Sequence, residues 1–291
     1  MEPSRHKAVY EIKDLPNWEA FEEQVRVLFA KRDGLRRETL RTHVSPLRFR
    51  GQWNASWQLD TTLERCGRLP GCAPSCLKAR DYYRAVHRAK YQIESLTDRR
   101  WDIMTPPDYE ERLKRQCAFW LVEPVDLPVY EFMIYLRHHG FSSPLLDWSQ
   151  SPYIAAFFAF NQASPTVGYA SIYAYMEYSG QGKNGSEGKP TIYGRGPTVR
   201  SHRRHVLQQC EYTICTVRSE DEWNYTCHES AFSEGRETQD LLWKFNIPSS
   251  EGPKVLHILD RYNLNAFSLF GSEESLMETI ALREFFFREG R

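Results

Sequence analysis

The sequence predicts an α+β protein, a single compact unit with a central mixed or antiparallel sheet flanked by helices. Three observations carry this. Period-two alternation of apolar and polar residues marks strands at 46–53, 168–178, 211–217 and 241–247. Apolar residues at helical spacing mark helices at 15–31, 77–96, 107–120, 127–139, 252–262 and 272–287. No internal repeat and no linker interrupts the chain, so these elements belong to one unit spanning 1–291, with 1–14 as a flexible N-terminal segment.

Composition narrows the class. The 291 residues are 41% hydrophobic and 26% charged, enough apolar content for a sizeable core. Thirty-eight Lys and Arg balance 38 Asp and Glu, which argues against a broad electrostatic grip on nucleic acid. The opening MEPSRHKAVYEIKDLP lacks an apolar h-region, and no run approaches the ~18 apolar residues of a membrane span. Seven cysteines form no disulfide-like framework. The expectation is a reduced, cytoplasmic protein without membrane attachment. Cys66, Cys72 and Cys76 lack the paired C-x-x-C spacing of zinc sites, so no metal is expected.

In chain order, Trp18, Phe21, Val25, Leu28 and Phe29 give the first helix its apolar face, and Asn17 is placed to cap it. In PLRFRGQW, 46–53, Leu47 and Phe49 share one face and Arg48 and Arg50 the other. Those arginines either face water or present guanidinium groups to a phosphate or ribose, with Gly51 leaving room for a ligand. A Gly-, Pro- and Cys-rich loop then precedes the next helices. Arg137, His138 and His139 end the helix at 127–139, where cations suit the dipole, and Gly140 is its C′ residue. Residues 140–151 read as a polar loop feeding Pro152 and the apolar helix 152–161, capped by Ser149 or Ser151. A helix N-terminus attracts anions, which makes this junction a candidate site. Residues 179–190 read as a flexible Gly-rich loop without Walker A spacing. Residues 195–209 are basic through Arg195, Arg200, Arg203 and Arg204. Pro248 closes the strand at 241–247. Ser272 caps the last helix, or Ser275 with Glu278 starts it one turn later.

The stretch HHGFSSPLLDWSQSPYIAAFFA, beginning at His138, is similar to the second signature of the FRG domain. Phe49-Arg50-Gly51-Gln52 resembles the signature that names that family. Arg204 and Gln208, followed by Tyr212 and Thr213, resemble a third. Ile247-Pro248 and Leu269-Phe270 resemble a C-terminal one. The likeness runs from about residue 15 to the C-terminus, with its signatures between about 46 and 270. The chain departs from the pattern at Arg137, where Gln often precedes the His, at Ser143-Pro144 in place of Thr-Arg, and at Cys210 in place of Gly.

FRG signatures in turn resemble a variant of the ADP-ribosyltransferase pattern. That likeness implies an ADP-ribosyltransferase-like fold. It also implies NAD as substrate and transfer of ADP-ribose to an unidentified protein, nucleic-acid or small-molecule acceptor, in a toxin or antiphage effector. It assigns Arg50 to the NAD phosphates or ribose and Ser149, within Asp147-Trp148-Ser149, to the element that shapes the nicotinamide pocket, and it counts Gly51, Gln52, Ser143, Asp147 and Trp148 with them as cofactor-binding residues. Gln208 or Glu211, the latter within Gln209-Cys210-Glu211, would stabilise the positive charge that develops on the ribose, with His138 the third catalytic candidate. A carboxylate stabilises that charge better than an amide does, arginines hold pyrophosphate bidentately, and Trp148, Trp57 or Tyr153 supplies a stacking surface.

Plainer readings stand beside these. His138 can be a satisfied helix-end histidine, Asp147 a helix cap or a partner of Arg50, and Gln208 a core residue bonding backbone. The domain can bind a nucleotide or partner without turnover, or bind nucleic acid through 195–205. Absence of a G-x-S-x-G elbow ranks a hydrolase last. The transferase reading expects Arg50, His138, Asp147 and Gln208 to converge on one cleft, lined or rimmed by Arg200, Arg203 and Arg204.

Overall fold

Among the described residues the strands form one nine-stranded mixed sheet, in which two neighbouring strands share a single register pair. The computed structural model describes residues 11–38, 43–67, 77–118, 129–163, 168–183, 187–199, 203–219, 222–232 and 239–287. One half of the sheet runs β1 (Glu11–Asp14), β9 (Gln239–Pro248), β5 (Tyr169–Tyr178) and β2 (Leu47–Gln52). Only β1 is parallel to its neighbour. The other half runs β4 (Leu145–Ser149), β7 (Cys210–Ser219), β8 (Glu222–Tyr225) and β3 (Leu77–Lys78), with β6 (Thr191–Arg195) also on β7. The halves meet at Phe49 opposite Ser149.

Alternation along the strands feeds three cores. Leu47, Phe49, Ile172, Ala174 and Phe245 pack under α1 (Trp18–Glu38), α6 (Pro152–Phe160), α9 (Gly252–Arg261) and α10 (Ala266–Phe270). Leu145, Tyr212 and Ile214 pack under α3 (Ala79–Thr97), α4 (Pro106–Ala118) and α5 (Tyr130–His138). The opposite strand faces from both halves enclose the third core, where Trp148 stacks on Tyr175 at 5.2 Å. The short helices α2 (Thr62–Gly67), α7 (Arg203–Leu207) and α8 (His228–Phe232) fill the connections, and α11 (Glu273–Phe285) closes the chain.

Several local expectations have physical counterparts. Asn17 Oδ1 accepts from Ala20 N at 3.0 Å, and Ser151, not Ser149, caps α6 by accepting from Ile154 N. Gly140 follows the end of α5 at φ +87°, a conformation glycine adopts freely. Ser272 caps α11 through a reciprocal box with Ser275, so the helix begins at the earlier of the two expected positions. Two expectations are corrected. Residues 11–14, expected to be flexible, form an edge strand, and residues 145–149, expected to be loop, form β4 at the centre of the sheet. Cys72, Cys76 and Arg200 lie outside the described residues. Among the described residues, no helix is long and apolar enough to cross a membrane and no group of three metal-type ligands occurs.

Candidate functional site

Where β2 and β4 part beyond Phe49 and Ser149, they leave a cleft of about 300 Å³. Arg50, Gly51 and Gln52 reach it from β2, Asp147 and Ser149 from β4, and Arg137 and His138 from the end of α5. Gln208 and Cys210 flank the turn into β7, while Ala155 and Phe158 of α6 and Phe270 of α10 close the outer wall. Arg50, His138, Asp147 and Gln208, far apart in sequence, line this one cleft.

Arg50 spans the split. Its Nη1 donates to the Asp147 carbonyl at 2.8 Å and lies 3.7 Å from the carboxylate, while its Nε is buried with no hydrogen-bond partner. Burial pushes the guanidinium pKa down to about 10, partly countered by Asp147, so Arg50 stays charged at neutral pH. Two residues on, Gln52 Nε2 donates to the Gln58 carbonyl at 3.0 Å, and Gln52 Oε1 is buried without a partner. A donor and an acceptor on neighbouring wall residues therefore lack protein partners, which is rare for buried groups.

Asp147 is gripped by Arg137, whose Nε and Nη2 fork onto its two oxygens at 2.9 and 2.7 Å. Burial pushes the Asp147 carboxyl up, but Arg137, Arg50 and His138 together hold it below the usual carboxylate range. Arg137, a departure from the FRG pattern, thus supplies a cleft arginine of its own. A third comes from α2, where Arg65 is exposed and has no acidic partner among the described residues. Three guanidinium groups face one carboxylate, so the cleft favours an anion.

Trp53 and Trp57 form an aromatic corner at the same mouth, ring centroids 4.3 Å apart and edge-to-face. The intervening turn is fixed by Asn54, whose Oδ1 accepts from Ser56 N and whose carbonyl accepts from Trp57 N.

Other expected site residues lie elsewhere. Glu211 projects from the opposite face of β7 to Cys210 and is almost fully buried. It is ion-paired with Arg48 and accepts from Gln150 Nε2 at 2.8 Å. Arg48 also meets Glu177 at 3.1 Å, and Lys183 joins Glu177 to Asp240 at 3.0 and 2.9 Å. Glu211 is thus a member of a buried charge network, not a wall of the cleft. The same network answers the expectation that Arg48 faces water. Lys183 also pins part of the 179–190 segment that reads as flexible.

Ser143 is fully buried, its Oγ accepting from Leu145 N as part of a turn. Trp148 borders the cleft, but its ring is spent on Tyr175 and its N–H donates to Thr213 at 2.8 Å. Tyr153 rests against Trp18, so of the three expected stacking residues only Trp57 presents itself at the cleft. Gln208 borders the cleft while its Nε2 donates to the Leu269 carbonyl at 3.1 Å, tying the end of α7 to α10. Ser149 Oγ donates to the Gln208 carbonyl at 2.9 Å.

Two physical expectations are also corrected. Gly51 is small for the sake of α6, since a Cβ there would lie 1.9 Å from the Ala155 carbonyl and 2.6 Å from Ala159 N. The cleft meets α6 along Ala155, Phe158 and the following Asn161 and Gln162, so its wall is the C-terminal part of that helix rather than the anion-attracting N-terminus. In the basic segment, Arg203 donates to the Gly271 carbonyl and Arg204 lies over the Phe270 ring, behind the cleft wall. The cleft's charge comes from Arg50, Arg65 and Arg137 instead.

Trp53, Arg65, Asn161 and Gln162 are among the wall residues that the sequence reading missed. Thr61-x-x-Glu64 is a capping box, with Glu64 N donating to Thr61 Oγ1 and Thr61 N to Glu64 Oε2, and it announces the helix carrying Arg65.

Residues 45–167 match the FRG domain. That span holds Arg50, Gly51, Gln52, Arg65, Arg137, His138 and Asp147, and ends before Gln208. No curated protein and no solved structure matches the chain.

Proposed function

We propose that the cleft binds a phosphate-bearing nucleotide, with NAD the first to test. The observation that carries this is Arg50, largely buried with its Nε unpartnered, in a wall where Arg50, Arg65 and Arg137 outnumber Asp147. A phosphate accepts bidentate bonds from guanidinium groups, and an aromatic base or nicotinamide ring packs against an aromatic corner such as Trp53 and Trp57. The ligand's polar edge supplies the donor that Gln52 Oε1 lacks. The likeness of FRG signatures to ADP-ribosyltransferases points the same way.

Transfer of ADP-ribose is the stronger form of this proposal. Breaking the bond to nicotinamide builds positive charge on the ribose, and a carboxylate nearby lowers that barrier. Asp147, oriented by Arg137, lines the cleft, whereas Glu211 is committed to Arg48. Asp147 therefore takes the role that the family likeness offered to Gln208 or Glu211. Binding without turnover is the second reading, favoured by the grip of Arg137 on that same carboxylate.

The test is nicotinamide release from NAD by the wild type and by Asp147→Asn. Release by the wild type, lowered about a hundredfold or more in the variant with NAD affinity nearly kept, supports transfer through Asp147. NAD binding with no release leaves the binding domain. Release that survives in Asp147→Asn and vanishes in Glu211→Gln overturns the assignment.

A further inference from the structure

Gln52 ends β2 in the wall of the cleft with one half of its amide committed. Its Nε2 donates to the Gln58 carbonyl at 3.0 Å. A carbonyl only accepts, so the NH2 group must face it, and the amide cannot turn over without losing that bond. Oε1 is the half left over, buried and with no hydrogen-bond partner among the described residues. Arg50, two residues earlier on the same strand face, has its Nε unpartnered as well, so the two do not satisfy each other. Buried acceptors are seldom left this way, and a donor on a ligand in the cleft supplies the missing bond.

The turn that follows Gln52 is tied to the sheet, which fixes the aromatic corner beside this acceptor. Ala55 N donates to the Tyr169 carbonyl of β5 at 2.8 Å, and Lys244 Nζ of β9 donates to the Ala55 carbonyl at 2.6 Å. The Tyr173 hydroxyl of β5 donates to the Trp57 carbonyl at 3.2 Å. With the Gln52 bond to Gln58, the backbone between Trp53 and Trp57 is anchored on both sides. Corner and acceptor form one preformed subsite, an aromatic surface for a flat ring with a fixed acceptor near its edge. Little conformational entropy is lost when such a subsite fills.

We infer that Gln52 is a specificity-determining residue, selecting a nucleotide whose ring carries an amide or amine N–H that Gln52 Oε1 accepts while the ring packs on Trp53 and Trp57. An analogue whose ring edge offers only a carbonyl or a methyl leaves Oε1 unpaired and buried, and a site built to bond a donor rejects the ligand that lacks it. Two groups of NAD qualify, the nicotinamide carboxamide and the adenine amine. Each ring is one ribose from a phosphate, and two strand residues span about 7 Å, so a phosphate at Arg50 leaves either ring within reach of Gln52. This inference rests on the nucleotide reading of the cleft and adds to it the feature of the ring that is read.

The experiment is calorimetric titration of the full chain with NAD and two analogues of the same charge. In 3-acetylpyridine adenine dinucleotide a methyl replaces the carboxamide NH2, and in nicotinamide hypoxanthine dinucleotide a carbonyl replaces the adenine amine. One analogue is expected to bind the wild type about tenfold more weakly than NAD, and which one it is identifies the ring at Gln52. Gln52→Met, close in length but without donor or acceptor, is expected to bring NAD and that analogue within about twofold of each other. A merely anchoring role for Gln52 would weaken all three ligands by the same factor and leave the ratio as it was. Equal affinities for all three in the wild type, a comparison that needs no variant to fold, or a ratio that persists in Gln52→Met, overturns the inference and leaves the nucleotide site standing. No heat with any of the three overturns the nucleotide reading, and the inference with it.

Discussion

Replacing Gly51 by alanine separates two reasons for a glycine between Arg50 and Gln52. The position has no left-handed φ, so on backbone grounds alone alanine would stabilise the fold by about 0.4–1 kcal/mol through the unfolded chain. The added Cβ, however, would sit 1.9 Å from the Ala155 carbonyl and 2.6 Å from Ala159 N. Both are backbone atoms of α6, which cannot swing aside as a side chain can. Relief requires α6 to back away by roughly 1.5 Å from a tightly packed strand, and overpacking of this kind costs about 1–3 kcal/mol. For a chain of this size the thermal midpoint should fall by on the order of 2–12 °C. Differential scanning calorimetry without ligand measures it. A midpoint that rises or stays put would refute the packing account and return Gly51 to a role in ligand approach.

Three further outcomes follow from the buried groups. Glu211→Gln should destabilise the fold by about 3 kcal/mol, the lower end of the cost of breaking a buried pair because Glu177 still faces Arg48, while nucleotide affinity of the folded protein stays unchanged. Urea titration with calorimetric binding checks both parts, and lost affinity without lost stability would contradict the placement of Glu211. His228, whose pKa burial and Arg50 push down to about 3, is neutral when folded and gains a proton near its ordinary value when unfolded. Stability should therefore decline as pH falls from about 6.5 toward 3, and His228→Gln should flatten thermal midpoints across that window. Glu177 is pushed up by burial, yet Lys183 and Arg48 hold it below the ordinary value. Its stabilisation is present above about pH 4.5 and is lost as pH falls through its folded value, a loss that urea titration of Glu177→Gln should not show.

Long elements were legible because their signal is periodic. The helix over α1, the strands β5 and β9 and the capped start of α11 announce themselves through apolar spacing and caps. Short ones were hidden. Residues 145–149, Leu-Leu-Asp-Trp-Ser, show no alternation because both faces of β4 are covered, Leu145 in one core and Leu146 and Trp148 in another. The convergence of Arg50, His138, Asp147 and Gln208 was readable from signatures in turns and strand ends. The fate of Glu211 was not, since a three-residue pattern says nothing of which strand face meets Arg48. Nor could spacing reveal that Gly51 answers to α6, a contact between residues about a hundred positions apart.

Arg50 and its neighbours are proposed here to make an anion-selective nucleotide cleft. Calorimetric titration of NAD into the wild type and Arg50→Ala tests it most directly. Binding by the wild type is expected, with a loss of roughly tenfold to a hundredfold in the variant, the worth of a charge-assisted hydrogen bond of about 1.5–3 kcal/mol. Equal affinity in both proteins, or no heat with NAD, ADP-ribose or AMP for the wild type, would contradict it.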